Sequence, residues 1–299
     1  MTTPDLSICI LTLNARDYLR ACLQSIAGHT AVPHEIIVAD NGSTDGTLEM
    51  LDRDFPQVRC LPGMHNEGFA VPMNRAMRQA RGRYIALLNP DTLIHPRAFD
   101  RLTAFLDATP DAGIVGPKVL NPDGSLQLPC RRGDSRPWAV ISYFSGLARR
   151  FPDDPRFTGY LLTHLDENRT YPVDGVSGSC MVIRRAVVEE IGYLDERFFA
   201  YQEDADYCLR ARAAGWKVYY HPEAQITHFG GQGGSRVQPY RAVWAWHQSY
   251  FLLYRKHFAK DYFFLLNWLY YAMMGGKLIF ALLRNALSRQ PFGGDRKPG

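Results

Sequence analysis

The amino-acid sequence predicts an α/β fold in which a largely parallel sheet is covered by helices on both faces, and three observations carry that expectation. Short continuous apolar runs occur at residues 6–13 (LSICILTL), 35–39 (EIIVA) and 84–88 (YIALL), as strands buried on both faces require. Amphipathic stretches with apolar residues at helical spacing, 15–26 and 44–51, lie between them. Strand, helix, strand in alternation is the signature of a parallel sheet.

In such sheets, ligands bind beyond the carboxyl ends of the strands. The residues that end each apolar run are therefore candidates: Thr12 and Asn14 after the first, Asp40-Asn41-Gly42 after the second, Asn89-Pro90-Asp91 after the third. A strand-ending Asp serves equally well as a helix cap or turn former, so Asp40 alone has two readings. Asp91 has a firmer one, because two side-chain oxygens stand on a stiff Asn-Pro-Asp turn.

Glu203, Asp204 and Asp206 crowd the start of a helical pattern. The helix dipole accounts for one carboxylate there, but three repel unless some face a cation, an Arg or a substrate hydroxyl. Asp206 and Arg210, at i,i+4 spacing, read as an internal ion pair. Residues 215–220 and 226–231 then read as two strand segments, with His228 ending the second before a glycine-rich stretch.

The 299 residues are 46% hydrophobic and 21% charged, with no long block of like charge, no internal repeat and no low-complexity tract. Six scattered cysteines form no C-x-x-C pair, so neither a zinc site nor a disulfide framework is expected. The polar start, residues 1–5, lacks the pattern of a secretion signal, and a reducing cytoplasm is the expected compartment. The net charge of +4 is uneven: residues 240–299 hold nine Lys or Arg against Asp261 and Asp295. A mildly acidic body with a basic, aromatic C-terminus points to an anionic lipid surface and away from nucleic acid.

Several stretches together resemble the family 2 inverting glycosyltransferases, within that group the bacterial rhamnosyltransferase-like members. They are SICILTLN (7–14), IIVADNGSTDG (36–46), NEGFAVPMN (66–74), RYIALLNPDT (83–92), VGPKVLNPDGSLQ (115–127), DGVSGSCMVIRR (174–185), LDERFFAYQEDADYCLRARAAGWKV (194–218) and HPEAQITHFGG (221–231). The resemblance implies a GT-A type nucleotide-diphospho-sugar transferase fold. It also implies a nucleotide-sugar donor, a glycan or lipid-linked acceptor, and a divalent metal, Mn²⁺ or Mg²⁺.

By this resemblance Asp91 is the metal-binding aspartate of a D-x-D motif that here reads Asn89-Pro90-Asp91, so its first carboxylate is missing. His228 matches the second metal ligand. Asp40 matches the aspartate that reads the base edge, and Thr12, Asn14, Asn41 and Asn89 line the donor pocket. Asn66, Gly68 and Asn74 fall in a segment beneath the donor, with Gly68 allowing close backbone approach. The Glu-Asp motif corresponds to Glu203-Asp204, with Asp204 as general base and Glu203 holding the acceptor or the loop.

Other enzyme classes fit less well. A nucleotidyltransferase or dinucleotide-binding fold would carry a glycine-rich first βα turn, which Leu13-Asn14-Ala15-Arg16 lacks. A catalytically silent binding or scaffold subunit would be expected to have lost Asp40, Asp91 and Asp204. The expected division is a catalytic domain at 1–235 and a membrane-associating helical segment at 236–299, which would hold the protein on the inner face of the cell membrane. Residues 241–258 mix Trp and Tyr with Arg255 and Lys256, and 262–283 are almost wholly apolar. Lys277, Arg284 and Ser288 share one helical face, which favours a helix lying in the interface over one that spans. Packing on the catalytic domain or on a second copy of the chain is the competing expectation.

Overall fold

A computed structural model describes residues 3–231 and 239–287. Its first half alternates as expected: β1 (Leu6–Thr12), α1 (Arg16–His29), β2 (His34–Asp40), α2 (Thr47–Asp54), β3 (Arg59–Leu61), α3 (Ala70–Gln79) and β4 (Tyr84–Leu88). Then come β5 (Thr92–Ile94), α4 (Ala98–Ala108), β6 (Ala112–Leu120) and the short β7 (Arg131–Arg132). A helical insertion follows, made of α5 (Pro137–Phe144), α6 (Leu147–Arg150) and α7 (Pro155–Thr158). The sheet-containing part closes with β8 (Tyr171–Val173), β9 (Gly175–Val176), β10 (Cys180–Arg184), α8 (Arg185–Ile191), α9 (Glu203–Ala213) and β11 (Lys217–His228).

The main sheet runs β3-β2-β1-β4-β10-β6-β11-β5, with β8 also on β11. Strands β3, β2, β1 and β4 are parallel neighbours, as are β6 and β11; β10 lies antiparallel between β4 and β6. The apolar runs are continuous because helices cover both faces: Ile8, Ile10, Ile37, Val38, Ile85 and Leu87 are all fully buried. Helix α1 turns Leu19, Cys22, Leu23 and Ile26 inward, the i, i+3, i+4, i+7 stripe of a packed helix. The six cysteines are free and five are buried, so they serve as small apolar side chains.

The two segments expected at 215–220 and 226–231 form one strand, β11. Its register on β6 shifts between His221 and Gln225, where Pro222 offers no N–H to the ladder. The bulge keeps the pairing going, so His228 reaches the same edge as Asn89.

After residue 238 come a helix at Pro239–Leu253, a tight passage through Tyr254–Phe258 and Ala259–Asp261, and a terminal helix at Phe264–Leu287. Residues on both sides of the expected 235/236 division pack together. Phe198 of the sheet-containing part shares a buried cluster with Tyr250, Leu253, Tyr254, Phe258, Tyr270 and Met274. The hydroxyls of Tyr160 and Tyr250 lie 2.6 Å apart, and Lys256 Nζ reaches both Asp195 and Asp206. Several aromatic residues of 241–258 thus face the protein, where the sequence reading placed them toward lipid. Lys277, expected on one helical face with Arg284 and Ser288, holds its ammonium 3.8 Å from the Phe144 ring centre and 4.2 Å from that of Trp246. Ser288 lies outside the described residues.

Candidate active site

The parallel register sets Thr12 beside Asp40 at the carboxyl ends of β1 and β2. One Asp40 oxygen, Oδ2, accepts the backbone N–H of Gly42 and of Ser43 at 2.9 and 3.0 Å, the turn-forming role. Its other oxygen, Oδ1, and Thr12 Oγ1 are buried without a protein partner. The turn-forming reading of Asp40 thus occupies one of its two oxygens. Leaving two such atoms unpaired in a folded interior is costly, and adjacent strand ends with a free acceptor and a free hydroxyl suit a ligand with an N–H edge.

The neighbouring candidates brace this pocket. Asn14, in the left-handed region at φ 49°, accepts Thr44 N–H on Oδ1 at 2.8 Å and so ties the first loop to the second. Asn41 donates to Asn66 Oδ1 and to the Gly68 carbonyl, and accepts the Glu67 N–H. Gly68 is needed for a close approach of backbone: at φ 89° an added Cβ would meet the Phe199 carbonyl oxygen at 2.3 Å. Asn74 is spent entirely on the chain, donating to the Leu194 carbonyl and Glu196 Oε1 while accepting the Leu194 N–H. Asn41, Asn66, Gly68 and Asn74 therefore shape the pocket by holding backbone in place.

A second group forms where β4 and β11 end. His228 Nε2 lies 3.2 Å from Asp91 Oδ1 and 3.2 Å from Asn89 Nδ2. On the far side of the ring, Nδ1 is 2.8 Å from Gln127 Oε1. The Gln127 amide is itself oriented, since its Nε2 donates to Asn121 Oδ1 at 3.1 Å. Gln127 therefore faces the ring with an acceptor; with Nδ1 as the donor to it, the Nε2 lone pair would be available to a cation beside Asp91. An imidazole lone pair and a carboxylate oxygen converging at this distance suit a divalent cation, and an oriented first ligand is what a metal site needs. Among the described residues no third His, Cys, Asp or Glu joins them, so remaining ligands would come from a bound diphosphate.

The third group opens α9. Tyr201 and Gln202 both take left-handed φ values, 68° and 64°, a strained entry of the kind found at functional sites. Asp204 Oδ2 accepts from half-buried Arg132 at 2.6 Å and from Gly178 N at 2.8 Å, and its Oδ1 accepts the Ala205 N–H. Glu203 is buried with Oε2 unpartnered. Burial, then the charge of Asp204, pushes its carboxyl up to about 8. Asp206 forms the expected pair with Arg210 at 2.9 Å. The three groups are joined by backbone: Gly178 holds Asp204 while the next residue, Ser179, accepts the Asn89 N–H, and Phe199 accepts the Phe69 N–H.

With this geometry in view, comparison with known proteins is decisive. The family model described as "Glycosyltransferase like family 2" matches residues 4–259. The chain belongs to glycosyltransferase family 2. The match runs past residue 235, in keeping with the packing of 239–261 on the catalytic half. This glycosyltransferase is 32% identical over 267 residues, 84% of each chain, to an N-acetylglucosaminyl-diphospho-decaprenol L-rhamnosyltransferase from Mycobacterium tuberculosis. Its fold is that of solved GT-A transferases. A mannosyltransferase from Pyrobaculum calidifontis, in complex with GDP-Man and Mn²⁺, aligns at TM-score 0.57 and 17% identity over 85% of this chain and 65% of that one. GalNAc-T7 with UDP, GalNAc and Mn²⁺ aligns at 0.56 and 15% identity over 76% of this chain and 44% of that one. This chain thus spans less than two thirds of either solved structure.

Gln127, Arg132 and the Gly178-Ser179 turn of the glycosyltransferase were not singled out from sequence. Gln127 ends the quoted 115–127 stretch, but its partner His228 lies 101 residues away, beyond any local pattern.

The raised Glu203 carboxyl makes stability depend on pH. Between the ordinary value of 4.5 and about 8, the folded glycosyltransferase keeps a proton that the unfolded chain releases, so stability falls as pH rises through that window. Urea unfolding of the parent and Glu203→Gln at pH 6 and pH 8 is expected to show the parent losing more, by up to ~1.4 kcal/mol per pH unit. Equal slopes would mean that Glu203 titrates normally.

Proposed function

We propose that this enzyme inverts configuration as it moves a sugar from a nucleotide diphosphate, with dTDP-rhamnose or a similar deoxyhexose donor favoured and UDP-sugars next, to a hydroxyl of a cell-surface glycan or lipid-linked acceptor. The reaction would take place on the inner face of the cell membrane. The observation that carries the donor reading is the pair of unpartnered buried atoms, Asp40 Oδ1 and Thr12 Oγ1. A uracil or thymine offers an imide N–H to the carboxylate, and its carbonyl accepts from the hydroxyl. The rhamnosyltransferase likeness over 84% of both chains supports the sugar and a diphosphate-linked lipid acceptor.

In this reading the acceptor oxygen attacks the anomeric carbon from the face opposite the diphosphate. The glycosidic C–O bond forms as the bond to the phosphate oxygen breaks, and that oxygen leaves with the electron pair. Asp204 takes the hydroxyl proton, while Arg132 and the Gly178 N–H hold its carboxylate in place. Glu203 next to it, kept protonated by burial, places no second negative charge beside Asp204. Asp91 and His228 would hold a divalent cation that neutralises charge on the departing diphosphate. Gln127 keeps the His228 lone pair turned toward that position.

The test is a thermal-shift and calorimetric titration of dTDP-, UDP- and GDP-sugars with and without Mn²⁺. A donor at 100 times its dissociation constant adds about 2.7 kcal/mol of stability. Thymidine and uridine donors are expected to bind more tightly with Mn²⁺ and guanosine donors weakly. Asp91→Ala should remove the Mn²⁺ enhancement, and His228→Ala should reduce it less because no formal charge is lost. Affinity and turnover indifferent to EDTA would overturn the metal, and equal binding of GDP-sugars would overturn the base reading.

A further inference from the structure

Among the described residues the terminal helix carries a long run of exposed apolar side chains. Leu265, Leu269, Met273, Phe280 and Leu283 recur at spacings of three, four and seven residues and all are exposed, with Trp268 beside them at 68%. By length and composition Phe264–Arg284 is apolar enough to cross a bilayer. Its opposite side, however, is fixed to the body. Asn267 donates to the Ala259 carbonyl at 2.9 Å, the Tyr270 ring stacks on Tyr254 at 3.9 Å, Tyr271 meets Phe251 at 4.9 Å, and Lys277 lies over Phe144 and Trp246. Those contacts cover roughly 15 Å of helix axis at 1.5 Å per residue. A span needs about 30 Å of helix clear of the globular part, which this helix does not have while it is so held.

Helix α5 runs beside it. Arg136, just before α5, pairs with Asp261 at 3.1 Å, just before the terminal helix; Phe144, the last residue of α5, sits under Lys277. Both ends of α5 are thus pinned to the same neighbour. Its Trp138, Ile141 and Phe144, at three-residue spacing on one stripe, are exposed. The Trp138 N–H is satisfied by the Arg156 carbonyl at 2.9 Å, so the outward part of that side chain is apolar. The flanking charge is basic: Arg149 and Arg150 follow α5 in the exposed α6, and the terminal helix carries Lys277 and Arg284 without a single Asp or Glu. Of the acids that follow α6, Asp154 is paired with Arg156 and Asp153 is exposed.

We propose that α5 and the terminal helix form one docking surface that lies in the plane of an anionic bilayer, with the insertion at 137–151 as a second apolar wedge beside the C-terminal one. The choice of lipid over a second copy of the chain rests on the lipid-linked acceptor proposed above and on the basic fringe. Acyl-chain contact uses the exposed stripes, and headgroup phosphates meet Arg149, Arg150 and Arg284.

Flotation of the full chain with phosphatidylcholine vesicles, with and without phosphatidylglycerol, tests this. The parent is expected to float with the anionic vesicles and to stay bound in high salt. Ile141→Asp with Phe144→Asp should lower partitioning by roughly tenfold or more, as loss of two inserted apolar side chains implies. Leu269→Asp with Phe280→Asp should do the same. Circular dichroism melting and dTDP affinity are expected to match the parent in both variants, which separates a failed membrane surface from a failed donor site. An insertion variant that floats like the parent would overturn the proposal. So would a parent that ignores vesicles and sediments as a dimer which Leu269→Asp with Phe280→Asp converts to monomer, since a second copy would then cover the surface.

Discussion

Asp204→Asn is expected to lower turnover by roughly 10²–10⁴ while leaving dTDP affinity within about twofold of the parent, the usual worth of a general base acting on a bound donor. Geometry makes this sharper than a generic carboxylate test. Both oxygens of Asp204 accept from the protein: Oδ2 from Arg132 and Gly178, Oδ1 from Ala205 N–H. An Asn can keep the first two contacts only by turning its NH₂ toward the Ala205 side, where it has no proton-accepting lone pair to offer an acceptor hydroxyl. It also leaves the half-buried Arg132 without its counter-charge, so some stability is lost as well. Affinity for dTDP, measured on the same sample, reports the folded fraction and removes that effect from the rate. Glu203→Gln is the comparison. With its oxygen unpartnered and its carboxyl pushed up to about 8, Glu203 is the other acid–base group within reach. A larger loss of turnover in Glu203→Gln than in Asp204→Asn would transfer the base role to Glu203.

What the sequence made legible follows the range of the interactions concerned. Strands β1, β2 and β4 were readable because continuous apolar runs are a local signal, and the residues that end them, Thr12, Asp40 and Asn89 to Asp91, do meet at one edge. Asp206 with Arg210 was readable because both partners sit one helical turn apart. The remainder depends on contacts that no local pattern encodes. A glycine at 68 signals close backbone approach, but that the Phe199 carbonyl, far along the chain, is what approaches is not a local signal. The Arg132–Asp204 pair joins residues 72 apart, through a strand only two residues long. Tyr250 and Tyr254 are not legible as buried because composition cannot distinguish an interfacial ring from one packed on Phe198. The exposed stripe on α5 escaped notice for a related reason: Pro137–Phe144 is apolar enough to pass for core until the fold shows which side is left uncovered.

Asp206→Ala is expected to be the most destabilising single change outside the hydrophobic core, by about 3–5 kcal/mol, the usual effect of breaking a buried ion pair from one side. The carboxylate has no solvent exposure and is met by Arg210 Nε at 2.9 Å, Lys256 Nζ at 2.6 Å and His257 Nε2 at 2.7 Å. Burial alone would push this carboxyl up. Hydrogen bonds from His257 and Lys256, with the charge of Arg210, outweigh it and hold the group below the ordinary value of 3.8. Its contribution is therefore fully present above that value and is lost as pH falls through the depressed one, so acid should mimic the mutation. The location gives the change a second, local signature. Arg210 belongs to α9, whose first turn carries Glu203 and Asp204, whereas Lys256 and His257 belong to the passage that introduces the terminal helix. Removing Asp206 leaves Lys256 with Asp195 and His257 without its carboxylate, so the passage at 254–258 should loosen before the sheet does. Hydrogen exchange is expected to speed up at 254–261 and at the start of α9 while β1, β4 and β10 keep their protection. Urea unfolding should show a loss of a few kcal/mol in Asp206→Ala and a smaller one in Asp206→Asn, which retains one acceptor oxygen for some of the same donors. A stability unchanged within about 1 kcal/mol, or faster exchange spread evenly over the sheet, would show that this carboxylate does not anchor the C-terminal helices to the catalytic half.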